Sequence, residues 1–313
     1  MKIAFVKTAG NTMASMRYRI LLPAKALRER EHEVQLIDSY ISPTDYVEEK
    51  YSDFHVFGKH FNPEVDFGTA KIAQSKGSAV IFDICDNHFG NQFASYYRNM
   101  CALADYVTCN TPAMKEIIFQ ETGKDAHIID DPYEYPEKEA RFMPGQNPIN
   151  VLWYGHFTNL DTVQTMANQF KQLEENISLC VVSNMKPKQP AEDKNLFISF
   201  HPWSIKTQEN MLEWTNFVAL PTDVYDPRKI TKSHNRLVEG IRGGRFVIAH
   251  PLPSYERFKD FAWIGTDLSD GICWADENPD LALEKIKAGQ KYLRENLSPD
   301  HIGQQWENLL DPK

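Results

Sequence analysis

The chain has 313 residues and a net charge of −9, and 42% of its residues are hydrophobic. This is about twice the length of a typical domain, so two domains are expected. The negative charge argues against a nonspecific nucleic-acid binder or a protein held on anionic lipid by bulk charge, and it leaves a local basic patch open.

The N-terminal sequence MKIAFVKTAG places four apolar residues between its first lysine and Lys7. A secretory signal needs a longer apolar region, so this run is interpreted as a first β-strand. No stretch approaches the roughly 20 apolar residues that span a bilayer. We therefore expect a cytoplasmic protein with no stable membrane span.

Apolar runs and turn signals alternate through the first half of the chain. The runs predict strands at 2–6, 34–38, 53–58, 78–84, 106–110 and 126–130. Helices are predicted near 15–30, 66–76, 91–104 and 112–122. Thr111 and Pro112 are typical of a helix start, and Gly123 of a helix end. The alternation predicts parallel βαβ units with helices on both faces of a sheet.

The pattern stops between Asp131 and Asn150, which is rich in proline and charge, and then resumes. Further strands are predicted at 149–155, 177–184, 195–200, 216–221 and 245–251. Helices are predicted at 158–173, 204–214 and 233–243, and two more follow from about Pro279.

The predicted fold class is therefore α/β, with two doubly wound, Rossmann-like domains. The predicted bounds are 1–133 for the first domain, 134–148 for a linker and 149–290 for the second domain. Residues 291–313 are predicted to be a C-terminal helix that packs back toward the first domain. Ligands bind beyond the carboxyl ends of the strands in such sheets, so a cleft between the domains is the expected site.

The most informative stretch is 216–251, where basic residues including Arg228 and Lys232 precede a predicted helix. Ser233 is predicted to cap that helix, and Glu239 follows about two turns later. Lysine and serine beside the unpaired N–H groups of a helix start suit a diphosphate, and a carboxylate can accept hydrogen bonds from two ribose hydroxyls. The alternative is a solvated helix start with an exposed glutamate.

The string KSHNRLVEGIRGGRFVIAHPLPSYERF resembles the donor-site region of family-4-like GT-B glycosyltransferases, whose usual form is close to KSxNRLxEAxxxGxPVxAxPxPSY. SMRYRILLPAKALREREHEVQLID resembles their first helix and second strand. SAVIFDICDNHF and ADYVTCNTPAMKEIIFQETGKDAHIIDDP resemble the end of their acceptor domain, and VLWYGHFTNLDTV resembles the start of their donor domain. The resemblance covers most of the chain and implies the two-domain GT-B fold.

The resemblance also implies roles for individual residues. Glu239 matches the glutamate that binds the donor ribose, and Lys232 and Ser233 match positions that hold the diphosphate. Asn235 and Arg236 would border the same pocket. The implied donor site consists of Gly155, His156, Arg228, Lys232, Ser233, Asn235, Arg236 and Glu239.

Three positions depart from the family pattern. Thr231 stands where many members have a first glutamate that contacts the donor sugar. Gly240 replaces an alanine, which is expected to weaken the helix by about 1 kcal/mol. Glu31 replaces a glycine and is expected to affect only a helix end.

Candidate catalytic residues lie at the ends of the first and fourth predicted strands. Arg17 or Arg19 is expected to neutralise charge on the leaving diphosphate or on the acceptor, unless each is a surface arginine on an amphipathic helix. Asp83, Asp86 and His88 follow an apolar strand, where one of them would orient or deprotonate an acceptor hydroxyl and another would tie down the loop. The predicted catalytic residues are His88, Asp86 and Arg17.

No metal site is expected, because the five cysteines form no CxxC pair and GT-B enzymes generally work without a bound ion. A single glycine, Gly10, is no dinucleotide fingerprint. No cofactor is therefore expected beyond the nucleotide diphosphate sugar that serves as donor substrate.

The resemblance implies a hexosyltransferase-like enzyme that retains the anomeric configuration. Its default acceptor is a glycan or a lipid-linked molecule, and a protein or modified nucleic-acid acceptor stays open. Two alternatives remain. One is a catalytically silent protein that binds a sugar nucleotide or glycan, in line with Thr231, and the other is a non-hydrolysing sugar-nucleotide epimerase.

Overall fold

A computed structural model describes residues 1–7, 10–38, 52–59, 63–186 and 194–311. The chain divides into two compact units. The first unit consists of Met1–Glu134, Thr231–Ser233 and Asn296–Lys313, and the second of Tyr135–Ile230 and His234–Glu295.

Within the described residues, the first unit contains a sheet of six parallel strands in the order β2-β1-β3-β4-β5-β6. These strands are β1 (Lys2–Lys7), β2 (Glu33–Asp38), β3 (Phe54–Phe57), β4 (Ala79–Ile84), β5 (Tyr106–Cys109) and β6 (Ala126–Ile128). The helices between them are α1 (Leu22–Glu29), α2 (Pro63–Ser75), α3 (Ala94–Leu103) and α4 (Pro112–Thr122). The strands agree with the predicted ones to within two residues.

The predicted helix near 15–30 is present as an unbroken helical run, but it is not a regular α-helix throughout. A turn at Ala14–Met16 leads into a π-helical segment at Arg17–Leu21, and α1 follows. Such wide turns recur at functional sites in proteins. Both arginines of the π segment are buried, with side chains 8% and 4% exposed. The alternative that they are surface arginines is therefore wrong.

The second unit contains a sheet of six parallel strands among the described residues, in the order β12-β11-β10-β7-β8-β9. The strands are β7 (Ile149–Tyr154), β8 (Ile177–Ser183), β9 (Leu196–Pro202), β10 (Phe217–Leu220), β11 (Phe246–Ala249) and β12 (Trp263–Ile264). The helices are α5 (Leu160–Phe170), α6 (Ile205–Trp214), α7 (Asn235–Arg242), α8 (Leu268–Glu277) and α9 (Pro279–Asn296).

Two features of the second unit differ from the sequence prediction. β12 and α8 were not predicted, since a two-residue strand has no periodicity to detect. The predicted cap at Ser233 is wrong, because α7 begins at Asn235 with His234 at the N-cap position and no side chain caps it.

The last helix, α10 (Pro299–Leu310), belongs to the first unit and packs against α1. Trp306 meets Phe5 of β1 edge to face, with ring centroids 5.6 Å apart. Arg30 contacts Asp300 at 2.6 Å and Glu307 at 2.5 Å. α10 thereby covers one face of the first sheet.

The segment expected to be a linker packs on the second unit over much of its length. Lys138 N–H donates to the carbonyl of Arg242 at 2.9 Å, and Arg141 N–H donates to Gly244 at 3.0 Å. Gly244 has φ +72°, and a Cβ at this position would lie 2.1 Å from the carbonyl oxygen of Glu139. Only glycine fits there without moving the backbone.

Glu31 stands just past the end of α1 and has φ +67°, a left-handed conformation that glycine adopts more easily. The helix end still closes, because Glu31 N–H donates to the carbonyl of Arg28 at 3.1 Å.

No helix in the described ranges combines the length and the apolar character that crossing a membrane requires.

Gly240 lets α7 lie close to its sheet. An alanine Cβ there would be 2.7 Å from Val247 Cγ2 and 3.2 Å from Val218 Cβ. Overpacking of this kind costs about 1–3 kcal/mol, more than the about 1 kcal/mol that alanine gains over glycine in a helix. We therefore expect Gly240→Ala to lower the melting temperature in thermal denaturation. Gly90→Ala is the control, because no atom lies within 4 Å of its Cβ position; a Gly240→Ala variant more stable than the parent would contradict this packing.

Candidate functional site

In the first unit, Arg19 is the centre of a buried hydrogen-bond network. Its guanidinium donates to both carboxylate oxygens of Asp83 at 2.9 and 2.6 Å and to Asp131 at 2.8 Å. It also donates to the carbonyl of Ile129 at 2.7 Å, and the hydroxyl of Thr108 donates to Asp83 at 2.6 Å. The network joins the π segment to the carboxyl ends of β4, β5 and β6, so the structure gives Arg19 and Asp83 a structural function.

Arg17 forms a second buried ion pair. Its Nε lies 2.9 and 2.8 Å from the two carboxylate oxygens of Glu134, and its Nη1 donates to the carbonyl of Thr12. The side chain of Glu134 is 17% exposed. The structure thus places the predicted catalytic Arg17 against an acidic partner that the sequence pattern did not single out.

Asp86 lies between two lysines of the first unit. It accepts from Lys59 Nζ at 2.6 Å and from Lys232 Nζ. Burial alone would raise the pKa of Asp86, but the ammonium groups of Lys232 and Lys59 lower it well below its ordinary value of 3.8. An anionic Asp86 that two cations stabilise is a weak proton acceptor at neutral pH. Asp86 therefore suits electrostatic positioning better than base catalysis.

His88 is half-buried near the same strand end, with its ring 5.1 Å from that of Tyr97. Burial, and then the charge of Lys59, lower the pKa of His88 below 6.5, so the imidazole is neutral at pH 7. The amide oxygen of Asn91 accepts from Phe93 N–H at 2.9 Å, which directs its NH₂ group toward His88 Nδ1 at 2.8 Å. Nδ1 is thus the acceptor, and the proton of the neutral ring lies on Nε2.

The Asp86 ion pairs generate a stability prediction. Asp86→Asn leaves two ammonium groups facing each other without an anion, and we expect a loss of about 2 kcal/mol of unfolding free energy at pH 7. Because the folded-state pKa is lowered, the carboxylate stabilises the fold above pH 3.8 and this stabilisation is lost as the pH falls further. The gap between variant and parent should therefore shrink in acid, as measured by urea unfolding.

Asp125→Asn is the matched control, because it breaks an ion pair with Lys115 in which the side chains are 72% and 40% exposed. A pair this exposed is expected to contribute less than about 1 kcal/mol. Equal losses in the two variants would show that the environment of Asp86 has no special effect.

In the second unit, Arg236 of α7 lies beside the turn that follows β7. Tyr154 Oη donates to the backbone carbonyl of Arg236 at 2.6 Å. A Cβ at Gly155 would lie 3.4 Å from Arg236 Nη1 and 3.0 Å from the ring of Trp153. Within the described residues, Nη1 of Arg236 is buried and has no hydrogen-bond partner. Gly155 and Arg236, both predicted donor-site residues, are therefore brought together.

Glu239 lies one turn after Arg236 and is 6% exposed. Its carboxylate accepts from Gln208 Nε2 at 2.6 Å, and Gln208 Oε1 accepts from Trp203 Nε1 at 3.0 Å. The alternative that Glu239 is exposed to solvent is wrong. Gln208 lies in α6 and Trp203 just before it, and neither was predicted from the sequence, because Gln208 reaches Glu239 only in the folded chain.

The remaining predicted donor-site residues have local partners. Arg228 is 76% exposed and donates to Asp226, which lowers the pKa of Asp226 to about 2. His156 caps the turn after Gly155 by accepting from Thr158 N–H. Asn235 is half-buried at the start of α7, and Ser233 belongs to the first unit with Lys232.

Across the described ranges, no group of three or more His, Cys, Asp or Glu side chains is arranged to hold a metal ion.

No family model matches this sequence, and no curated protein matches it. Solved structures do match. Lipopolysaccharide outer core galactosyltransferase WaaB has a TM-score of 0.68 and 12% identity over 99% of both chains. An alpha-glucosyltransferase in complex with UDP-glucose and DNA has a TM-score of 0.68 and 9% identity over 99% of both chains. The chain has the GT-B fold.

TarM is a third GT-B structure that matches, with a TM-score of 0.65 and 15% identity. The match covers 86% of the present chain and 57% of TarM. At these identities the likeness shows the fold of the chain. The chemistry of the chain depends on its own side chains.

Proposed function

We propose that the protein is a glycosyltransferase that moves a sugar from a nucleotide diphosphate sugar to an acceptor hydroxyl. We also propose that the reaction retains the anomeric configuration and needs no bound metal ion, as the resemblance to family-4-like enzymes implies. Two of the similar GT-B structures are a galactosyltransferase and an alpha-glucosyltransferase solved with UDP-glucose, which supports glycosyl transfer as the reaction class.

The unpartnered guanidinium nitrogen of Arg236 is the observation that carries this proposal. It lies beside Gly155, between β7 and β10, where the order of the second sheet reverses. Ligands of doubly wound sheets bind at such switch points. A buried N–H of a cation without an acceptor costs free energy, and an anionic phosphate oxygen would satisfy it. The geometry suits the diphosphate of a donor.

Glu239 supports the nucleotide assignment. It follows Arg236 by three residues on α7, so both side chains lie on the same face of the helix. Gln208 holds the carboxylate in one orientation, as a group that binds two ribose hydroxyls requires. Arg236 and Glu239 together match the two parts of a nucleotide that carry hydrogen-bonding groups, the phosphates and the ribose.

The roles of Lys232, Ser233, Asn235, Arg228 and His156 in holding the donor remain proposals from the resemblance. Lys232 bonds to Asp86 in this structure, and its ammonium group carries three N–H donors, so a diphosphate oxygen can accept from it while the ion pair with Asp86 stays in place.

The donor site predicts the behaviour of an arginine variant. Arg236→Ala should weaken binding of a nucleoside diphosphate by about 10- to 100-fold, because a charge-assisted hydrogen bond contributes about 1.5–3 kcal/mol. Isothermal titration calorimetry with UDP, GDP and ADP measures this loss.

Arg294→Ala is the matched control, because it removes the same charge from the second unit at a side chain that is 50% exposed. Affinity for the nucleotides should be unchanged in this variant. If Arg236→Ala binds them as tightly as the parent, the diphosphate does not contact Arg236.

His88 and Asp86 are proposed to act on the acceptor. Because His88 accepts at Nδ1 and carries its proton on Nε2, it is suited to orient a hydroxyl by donating a hydrogen bond. This geometry favours the orienting role over proton abstraction. Arg17 remains a proposed source of positive charge, held in place by Glu134.

His88→Ala should leave nucleoside diphosphate affinity within twofold of the parent and lower turnover by about 100-fold, the cost of losing one orienting contact. Turnover is measured as release of nucleoside diphosphate in the presence of acceptor. Since the pKa of His88 is lowered below 6.5, parent activity should hold at pH 7. It should fall in more acidic buffer, because a proton on Nδ1 removes the hydrogen bond from Asn91 that orients the ring. Loss of nucleotide binding in His88→Ala would contradict an acceptor-side role.

A catalytically silent sugar-nucleotide binder is the second candidate. Thr231, which replaces the sugar-contacting glutamate of many relatives, is fully buried, and its carbonyl accepts from the hydroxyl of Thr111 at 3.2 Å. Donor hydrolysis without acceptor separates the candidates, because slow release of free sugar requires an active site, whereas a silent binder leaves the donor intact.

A further inference from the structure

Thr222 and His250 follow two neighbouring strands of the second sheet. β10 and β11 pair in parallel with Leu220 opposite Ala249, so Thr222 comes two residues and His250 one residue after this pair. Both lie at the carboxyl edge of the sheet, and β10, which leads to Thr222, is the neighbour of β7 at the switch point where Gly155 is found. Neither residue is part of the donor-site set that the resemblance implied.

The backbone of Thr222 occupies one nitrogen of His250. Thr222 N–H lies 3.0 Å from His250 Nδ1, and the Thr222 carbonyl lies 2.8 Å from the same atom. Whether Nδ1 accepts or donates, this contact fixes the ring and directs Nε2 away from Thr222. The imidazole is thus oriented by the strand ends themselves.

Thr222 and His250 each carry a buried polar atom at this edge, and Ser254, in the turn that follows His250 in the chain, carries a third. Within the part of the chain that the structure describes, no hydrogen-bond partner is present for Thr222 Oγ1, His250 Nε2 or Ser254 Oγ. The residues are 7%, 9% and 6% exposed. Buried polar side-chain atoms are paired in the large majority of cases, so three unpaired ones near neighbouring strand ends point to a ligand that pairs them.

The chemistry of these atoms selects the ligand class. Two are hydroxyl groups, which both donate and accept, and the third is a ring nitrogen whose role depends on the tautomer. None is a guanidinium or ammonium group, the groups that most often recognise phosphate, in contrast to the guanidinium of Arg236. Sugar hydroxyls also donate and accept, so they match all three atoms whichever tautomer His250 adopts.

We propose that Thr222, His250 and Ser254 form a subsite that binds hydroxyl groups of the sugar to be transferred. The inference rests on the proposed function and extends it from the nucleotide to the sugar. It also supplies sugar contacts in a chain that has Thr231 in place of the first glutamate of many relatives. The phosphates bind at Arg236, and the sugar ring binds along the ends of β10 and β11.

The test compares a nucleotide with its sugar ester in the intact protein. Affinities for UDP and UDP-glucose, GDP and GDP-glucose, and ADP and ADP-glucose are measured by calorimetry for the parent and for the double variant Thr222→Val, Ser254→Ala. We expect the ratio of the Kd for the sugar ester to the Kd for the free nucleotide to rise about tenfold or more, with the Kd for the free nucleotide unchanged. His250→Phe, which keeps an aromatic ring, should raise the same ratio.

Thr215→Val is the matched control. Thr215 is 4% exposed in the same unit, but its hydroxyl donates to the carbonyl of Met211 at 3.2 Å. This variant should leave the affinity ratio unchanged and lower the melting temperature. Thr222→Val should instead raise the melting temperature of the unliganded protein by about 2 °C, because it replaces a buried unpaired hydroxyl with a methyl group.

The outcomes separate this inference from the proposed function. An unchanged ratio in the double variant, or equal losses for the nucleotide and its sugar ester, overturns the sugar subsite and leaves nucleotide binding standing. A lower melting temperature in Thr222→Val also overturns it, because the hydroxyl would then have a structural partner. A parent that binds no nucleotide and no sugar ester overturns the proposed function and the subsite together.

Discussion

The close packing of α7 against β10 and β11 is the constraint on which the rest of the second unit depends. Position 240 has room for a glycine hydrogen but not for a Cβ, which would lie 2.7 Å from Val247 Cγ2. This contact sets the distance between α7 and the sheet. It thereby sets the positions of Arg236 and Glu239, which lie one turn apart on the helix. From the family pattern, Gly240 was expected to weaken the helix. In the structure this glycine allows the helix to lie close to the strand ends, within reach of its polar side chains.

Charge is arranged in two opposite ways at the carboxyl end of β4. Around Arg19, two carboxylates surround one cation, and around Asp86, two cations surround one carboxylate. The first group has one excess negative charge and the second has one excess positive charge. The two groups together are therefore close to neutral. Such balance lets Arg19, Asp83 and Asp131 be buried together, where a single unpaired charge would be costly, while Lys232 on the other side of the balance stays half-exposed.

Most strands and helices could be predicted from the sequence, because the alternation of apolar runs and helical segments depends on neighbouring residues alone. The site followed only in part. The KSHNRLVE string predicted Arg236 and Glu239. Gln208 comes from α6 and reaches Glu239 only in the folded chain, and Thr222 meets His250 only because β10 pairs with β11. The start of α7 was misplaced by two residues, since a serine before a helix does not reveal which backbone N–H groups it can reach.

The first unit is discontinuous in sequence, because both segments of the second unit, Tyr135–Ile230 and His234–Glu295, come between its β-sheet and α10. On a ribosome, the first six strands emerge without the helix that covers Phe5, and that helix is made only after residue 295. The nascent six-stranded sheet must therefore persist with apolar surface uncovered while the second unit is synthesised. This chain order should therefore increase the need for chaperones during translation and leave the stability of the finished protein unchanged.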